Sequence, residues 1–119
     1  MVAHNVLTGE LVLTGPNELA EDMPVLDVRT VGEYAAGHMP NSLNIPHTQL
    51  RDRLDEVRAW AETNVGDQPF VVMCAAGVRS WIGYRIVRHA GFNVTMLSGG
   101  IQTLRAWLGD RADSVLVKE

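Results

Sequence analysis

The sequence predicts an α/β domain built on a mainly parallel sheet, and three observations carry that prediction. Short apolar strands alternate with helical stretches through short turns, the pattern of a parallel sheet covered by helices. From Leu50 the apolar spacing changes to a helical period, with Leu50, Leu54, Val57 and Ala61 in one stripe. The run Phe70-Val71-Val72-Met73 enters the single cysteine, Cys74, and the segment behind it reads as helix from Trp81 to Ala90. A chain of 119 residues has room for one core, so a single domain is expected over 1–119.

In chain order, a short first strand is expected near Leu11-Val12-Leu13, and Thr14-Gly15-Pro16 turns into a brief helix. Pro24 to Val28 is a compact strand, buried on both faces. Thr30-Val31-Gly32-Glu33 has the form of a capping box opening a short helix that Gly37 stops. Ser42 to Ile45 is a third strand. On the Leu50–Ala61 helix, Arg51, Asp55 and Arg58 form the solvated face and are spaced for intrahelical pairs. Behind Cys74, Ile82, Ile86 and Ala90 are expected to face inward, with Arg85, Arg88 and His89 complementing the helix dipole. Val94 to Leu97 is the last core strand, and Ile101, Leu104 and Leu108 face inward from the helix after it. The Val115-Leu116-Val117 tail fits either a strand or a packed end. Trp60, Trp81 and Trp107 are read as packing residues.

Composition narrows the function. A net charge of −4 argues against a nucleic-acid partner, which usually requires a basic face. No apolar run reaches the length of a membrane span, and the first residues lack the pattern of a signal peptide. One cysteine excludes an internal disulfide or a Cys-x-x-Cys pair. These features favour the cytoplasm. His4, His38, His47 and His89 are scattered without ligand spacing, so no metal is expected.

The stretch Cys74-Ala75-Ala76-Gly77-Val78-Arg79-Ser80 carries the chemistry. A thiol is mostly neutral at pH 7, and a helix N-terminus or neighbouring cation favours the thiolate. Gly77 permits a tight ring, Arg79 adds a fixed charge, and amides turned inward form an anion nest. Because functional groups gather beyond the carboxyl ends of parallel strands, Asp27 and Cys74 are expected at one edge. The alternative is a buried structural cysteine.

The motifs Leu26-Asp27-Val28-Arg29, Glu33-Tyr34, Gly37-His38-Met39-Pro40, Asn44-Ile45-Pro46, the loop Cys74 to Ser80, and Leu97-Ser98-Gly99-Gly100 together resemble a rhodanese (sulfurtransferase) domain, with a motif-bearing core of about 25–107. The loop and the following Tyr84-Arg85-Ile86 helix are similar to rhodanese domains appended to coenzyme A-disulfide reductases, although an initiating Met1 favours a stand-alone protein. The resemblance implies a five-stranded, mainly parallel sheet flanked by helices on both faces. It also implies a Cys74 nucleophile that takes a sulfane sulfur from thiosulfate, a persulfide or a polysulfide and passes it to cyanide or a thiol. No cofactor is implied beyond the covalent persulfide. Partners would be a small-molecule donor and a thiol or protein-cysteine acceptor. Backbone amides of Ala75, Ala76, Gly77, Val78, Arg79 and Ser80, with the Arg79 side chain, would hold the anionic sulfur. Asp27 and Arg29 would support the loop, and His38 looks structural.

Two departures from the family pattern are Asn41-Ser42, where Asn tolerates left-handed geometry, and Ile101, which changes packing. The loop's small apolar side chains leave one cation, Arg79, which favours persulfides over thiosulfate as donors. Cysteine-loop phosphatases hold one residue more between cysteine and arginine than the four here, so this ring suits a single sulfur better than phosphate. A non-catalytic protein-interaction module is the remaining alternative.

Overall fold

The computed structural model describes residues 13–20, 22–66 and 68–119. Five strands form one parallel sheet: β1 (Leu13–Thr14), β2 (Val25–Asp27), β3 (Ser42–Asn44), β4 (Phe70–Met73) and β5 (Val94–Leu97), in the order β1-β5-β4-β2-β3. The expected first strand is present at its end; Leu11 and Val12 lie outside the described residues, as does His4. β4 has a strand on each side, and register sets Val25 opposite Val71 and Val71 opposite Thr95. Alternation then splits the core. Leu26, Val28, Phe70, Val72 and Cys74 pack on one face, and Val25, Val71 and Met73 on the other.

The first face is covered by α2 (Leu54–Asn64) and α3 (Val78–His89), through Val57, Tyr84 and Val87. The second is covered by α4 (Gly100–Leu108) and α5 (Ala112–Val115), through Ile101, Leu104 and Val115. Between β2 and β3, α1 (Val31–Ala35) opens on the expected capping box. Glu33 N–H donates to Thr30 Oγ1 at 3.2 Å, and Thr30 N–H donates to Glu33 Oε1 at 3.1 Å. The tail is a packed end: Val115 and Leu116 are buried, and Val117 forms an antiparallel bridge with His38.

Several expectations need correction. Helix α3 begins at Val78, so Val78, Arg79 and Ser80 are its first turn and the free loop is Ala75 to Gly77. Gly77, at φ +113°, makes the left-handed turn that starts the helix there. Its buried stripe is Ser80, Gly83, Tyr84 and Val87; of the expected residues Ile86 packs at the margin of the core, whereas Ile82 is 41% exposed. Gly83 sets this phase, because a Cβ there would lie 3.0 Å from Val28 Cγ1 and 3.4 Å from Val72 Cγ1. The helix sits on the sheet through a residue that shows no apolar signal.

On the charged face around α2, the recorded ion pair is Arg53–Glu56 at 2.6 Å, not a pairing among Arg51, Asp55 and Arg58. Arg58 lies over the Phe92 ring instead. The segment from His47 to Arg53 is 3-10 helix, which shifts the neighbours that α-helical spacing would give. Trp60 and Trp81 pack against Phe70 and Tyr84, whereas Trp107 faces outward on α4, 52% exposed, opposite the Ile101–Leu104 stripe. Among the described residues no non-glycine has positive φ, so Asn41 is not left-handed; its amide donates to the Asp22 carbonyl.

Candidate active site

Cys74 directly follows β4, so its sulfur sits at the carboxyl edge of the sheet, at the floor of the loop and 1% exposed. Gly77 N–H donates to Sγ at 3.0 Å. Ser80 Oγ, which donates to the Gly77 carbonyl at 3.1 Å, accepts from the thiol at 3.4 Å. The sulfur thus faces an amide donor, a hydroxyl and the first turn of a twelve-residue helix.

The loop backbone is anchored from its other side. Ile101 N–H donates to the Cys74 carbonyl at 2.7 Å, and Gln102 N–H donates to the Ala75 carbonyl at 3.0 Å. The first turn of α4 therefore fixes the Cys74 and Ala75 carbonyls, and with them the peptide planes that carry the Ala75 and Ala76 N–H groups and lead into Gly77. Gly100 makes the approach possible. Its φ is +66°, and a Cβ there would lie 2.5 Å from the Cys74 carbonyl oxygen and 2.6 Å from Ala75 C. In the sequence this anchor shows only as paired glycines ahead of an apolar helix, a signal that hydrophobic patterning does not weigh.

The predicted residues are not all gathered at the sulfur. Ala75, Ala76 and Val78 line the loop with small or exposed side chains. Arg79 is directed elsewhere: Nη1 and Nη2 donate to Glu33 Oε1 and Oε2 at 2.6 and 2.9 Å. The Arg79 guanidinium holds the Glu33 carboxyl down at about 2, helped by the Thr30 amide and hydroxyl and opposed by burial. Glu33 is thus both the capping residue of α1 and the partner of the loop arginine. Only the first role was legible, since the second spans 46 residues.

Asp27 and Arg29 form a second, deeper pair. Asp27 is fully buried and Arg29 is 4% exposed. Arg29 Nε donates to both carboxylate oxygens, and Nη2 reaches Oδ2 at 2.7 Å. The same guanidinium donates to the Glu33 and Gly37 carbonyls. The pair ties the end of β2 to α1 and to the segment entering His38, and makes no recorded hydrogen bond to the sulfur. His38 stacks on Tyr34 with ring centroids 3.7 Å apart, its Nδ1–H donating to the Tyr34 carbonyl. Among the described residues, no group of three His, Cys, Asp or Glu side chains is placed to hold a metal ion. No helix among them is long and apolar enough to cross a membrane.

Fold and site together define a class: a parallel α/β domain with a buried cysteine cradled between the end of a central strand and the N-terminus of the following helix. The model of the Rhodanese-like domain family matches residues 15–106, and the chain belongs to that family. It is 37% identical over 84 residues to an HTH-type transcriptional regulator of Mycobacterium tuberculosis, covering 69% of this chain and 34% of that protein. The chain thus spans about a third of that relative. Among solved structures, reduced CoADR-RHD of Bacillus anthracis superposes with a TM-score of 0.77 at 26% identity, covering 98% of this chain and 20% of that one. A NAD-dependent persulfide reductase from A. fulgidus gives 0.68 at 37% identity, covering 86% and 17%. A rhodanese-related protein from Thermoplasma volcanium gives 0.69 at 29% identity, covering 91% of this chain and 99% of that one.

Proposed function

We propose that the chain is a sulfurtransferase that carries a sulfane sulfur as a persulfide on Cys74. The observation that carries this reading is the Gly77 N–H at 3.0 Å from Sγ, at the start of α3. In the first step the Cys74 thiolate attacks the sulfane sulfur of a donor R–S–SH. The Sγ–S bond forms, the donor S–S bond breaks, and R–S⁻ leaves. In the second step an acceptor thiolate attacks the outer sulfur, Cys74 leaves as thiolate, and the acceptor becomes the persulfide. Atoms and charge balance in both steps without a redox partner, and the carrier is the cysteine itself rather than a cofactor. With one cysteine in the chain, the persulfide has no internal thiol to resolve it, so the acceptor must be external.

Small persulfides suit the site better than thiosulfate. The loop's one cation is paired to Glu33, so a dianionic donor gains little from Arg79 unless it displaces a carboxylate that already holds both guanidinium nitrogens. The likeness to the persulfide reductase is in keeping with this donor choice.

Intact mass after exposure to sulfane-sulfur donors tests the reading. The expected result is a gain of one sulfur atom, reversed by cyanide or thiol and absent in Cys74→Ala. No gain with any donor would overturn it in favour of a protein-interaction module.

A further inference from the structure

An open groove of 790 Å3 runs along the outer side of α3, bounded across from it by Arg51 and Leu54. It begins at Trp81, the residue after Ser80, whose hydroxyl lies 3.4 Å from the cysteine sulfur. From there it follows the helix to Ala90, about 14 Å at 1.5 Å per residue. Its lining combines apolar Trp81, Ile82 and Ile86 with Arg51, Arg85 and Arg88, and no described carboxylate lines it. This cationic face belongs to a chain of net charge −4. Helix-dipole complementarity accounts for cations in the last turn of α3. It does not account for Arg51, which belongs to another element, or for Ile82, left 41% exposed in the groove. Arg85 lies over the Trp81 ring at 5.7 Å, and a guanidinium ordered by its face keeps its N–H edge for a carboxylate.

We propose that this groove docks a protein acceptor whose sulfur-accepting cysteine is flanked by an acidic segment bearing apolar side chains. The proposal rests on the sulfurtransferase reading above and names the partner class for that same site. A small acceptor such as cyanide has no use for a groove that extends the length of a helix from the reacting atom. A protein thiol does, because Cys74 is nearly buried and the incoming sulfur must be aimed at a narrow opening. Contacts along the groove hold that thiol beside the loop and raise its effective concentration there. The acceptor thiolate attacks the outer sulfur of Cys74–S–SH, the new S–S bond forms on the acceptor, and Cys74 leaves as thiolate.

The test loads the full chain with persulfide and follows its discharge by mass spectrometry. Three acceptors are used: cyanide, a synthetic cysteine peptide flanked by Asp, Glu and Leu, and one flanked by Lys and Ser. Each rate is compared between the native chain and Arg51→Glu with Arg85→Glu, so that the peptides' own thiol reactivities cancel. The acidic peptide is expected to slow about tenfold in the variant, with the loss shrinking as salt is added, as for steering by exposed charge. The Lys peptide is expected to speed up, and cyanide discharge to stay within about twofold, because both arginines are exposed and neither hydrogen-bonds the sulfur. Ile82→Ser should slow the acidic peptide without touching cyanide. Equal effects on both peptides, or none on either, overturn the docking proposal while intact cyanide discharge leaves the sulfurtransferase reading standing. Suppression of the acidic peptide's advantage by inorganic phosphate at equal ionic strength would assign the groove to small anions and overturn it. So would rates that rise on dilution, which would mark a second copy seated there. Failure to load or discharge sulfur at all overturns both readings.

Discussion

Asp27 with Arg29 and Glu33 with Arg79 are the same two functional groups brought together at two depths. The first pair is sealed, its side chains 0% and 5% exposed, and among the described residues the guanidinium bonds only Asp27 and the nearby carbonyls of Glu33 and Gly37. The second is at the surface, 37% and 27% exposed, and joins α1 to the cysteine loop across the fold. The deep pair also holds the shallow one, since Arg29 donates to the backbone carbonyl of Glu33. Burial decides what each pair can do. An ion pair removed from water is costly to break from one side, which makes it a fixed staple. A pair in water contributes little and can open, which lets a substrate anion compete for the arginine.

Arg29→Ala should produce the largest effect, leaving the Asp27 carboxylate buried and unpaired at a cost of about 3–5 kcal/mol, read as a lower urea midpoint. A loss no larger than that of an exposed pair would erase the distinction. Gly100→Ala should come next. It strains a left-handed position and drives a methyl into the Cys74 and Ala75 backbone, costing about 1–3 kcal/mol and most of the sulfur-transfer rate. Activity retained at native levels would show that the α4 anchor does not hold the loop in its working form.

Glu33→Gln separates stability from selectivity. Gln can still complete the capping box, so the unfolding free energy should fall by no more than about 1 kcal/mol. Thiosulfate turnover should rise about fivefold, the scale of ~1 kcal/mol in transition-state binding, and persulfide turnover should change less. Unchanged donor preference would break the idea that the pair withholds Arg79. The same variant gives a pH test. Glu33 is held at about 2 in the fold against 4.5 without its partners, so its contribution is complete above about pH 5 and is lost as pH falls towards 2. The stability advantage of the native chain over Glu33→Gln should therefore shrink over that interval, as followed by unfolding titrations. The smallest effect belongs to Arg53→Ala, which removes an exposed pair across the junction of the 3-10 segment and α2 and should cost under about 0.5 kcal/mol.

The sequence disclosed what depends on neighbours along the chain. The central strands β2 and β4 are apolar runs, the capping box is four residues long, and the cysteine loop is contiguous, so each could be read locally. Long-range pairings could not. Arg79 carries a charge visible in the sequence, but its carboxylate lies in α1, and the spacing of the loop gave no hint that this charge is already taken. Glycines hid the rest. Gly83 fixes which side of α3 meets the sheet, and Gly100 lets α4 reach the loop backbone; both act by lacking a side chain, and hydrophobic patterning scores them as blanks. Tyr34, reached through His38, likewise needed coordinates to acquire its partner.

The two hydrogen bonds from α4 to the loop have a practical consequence. Ile101 and Gln102 carry amide protons that are bonded only while the Cys74 and Ala75 carbonyls keep their places. They can leave for solvent deuterium only when this contact opens. Their exchange rates therefore give a direct clock for loop opening, readable in the free thiol and again with an extra sulfur attached, without touching the cysteine.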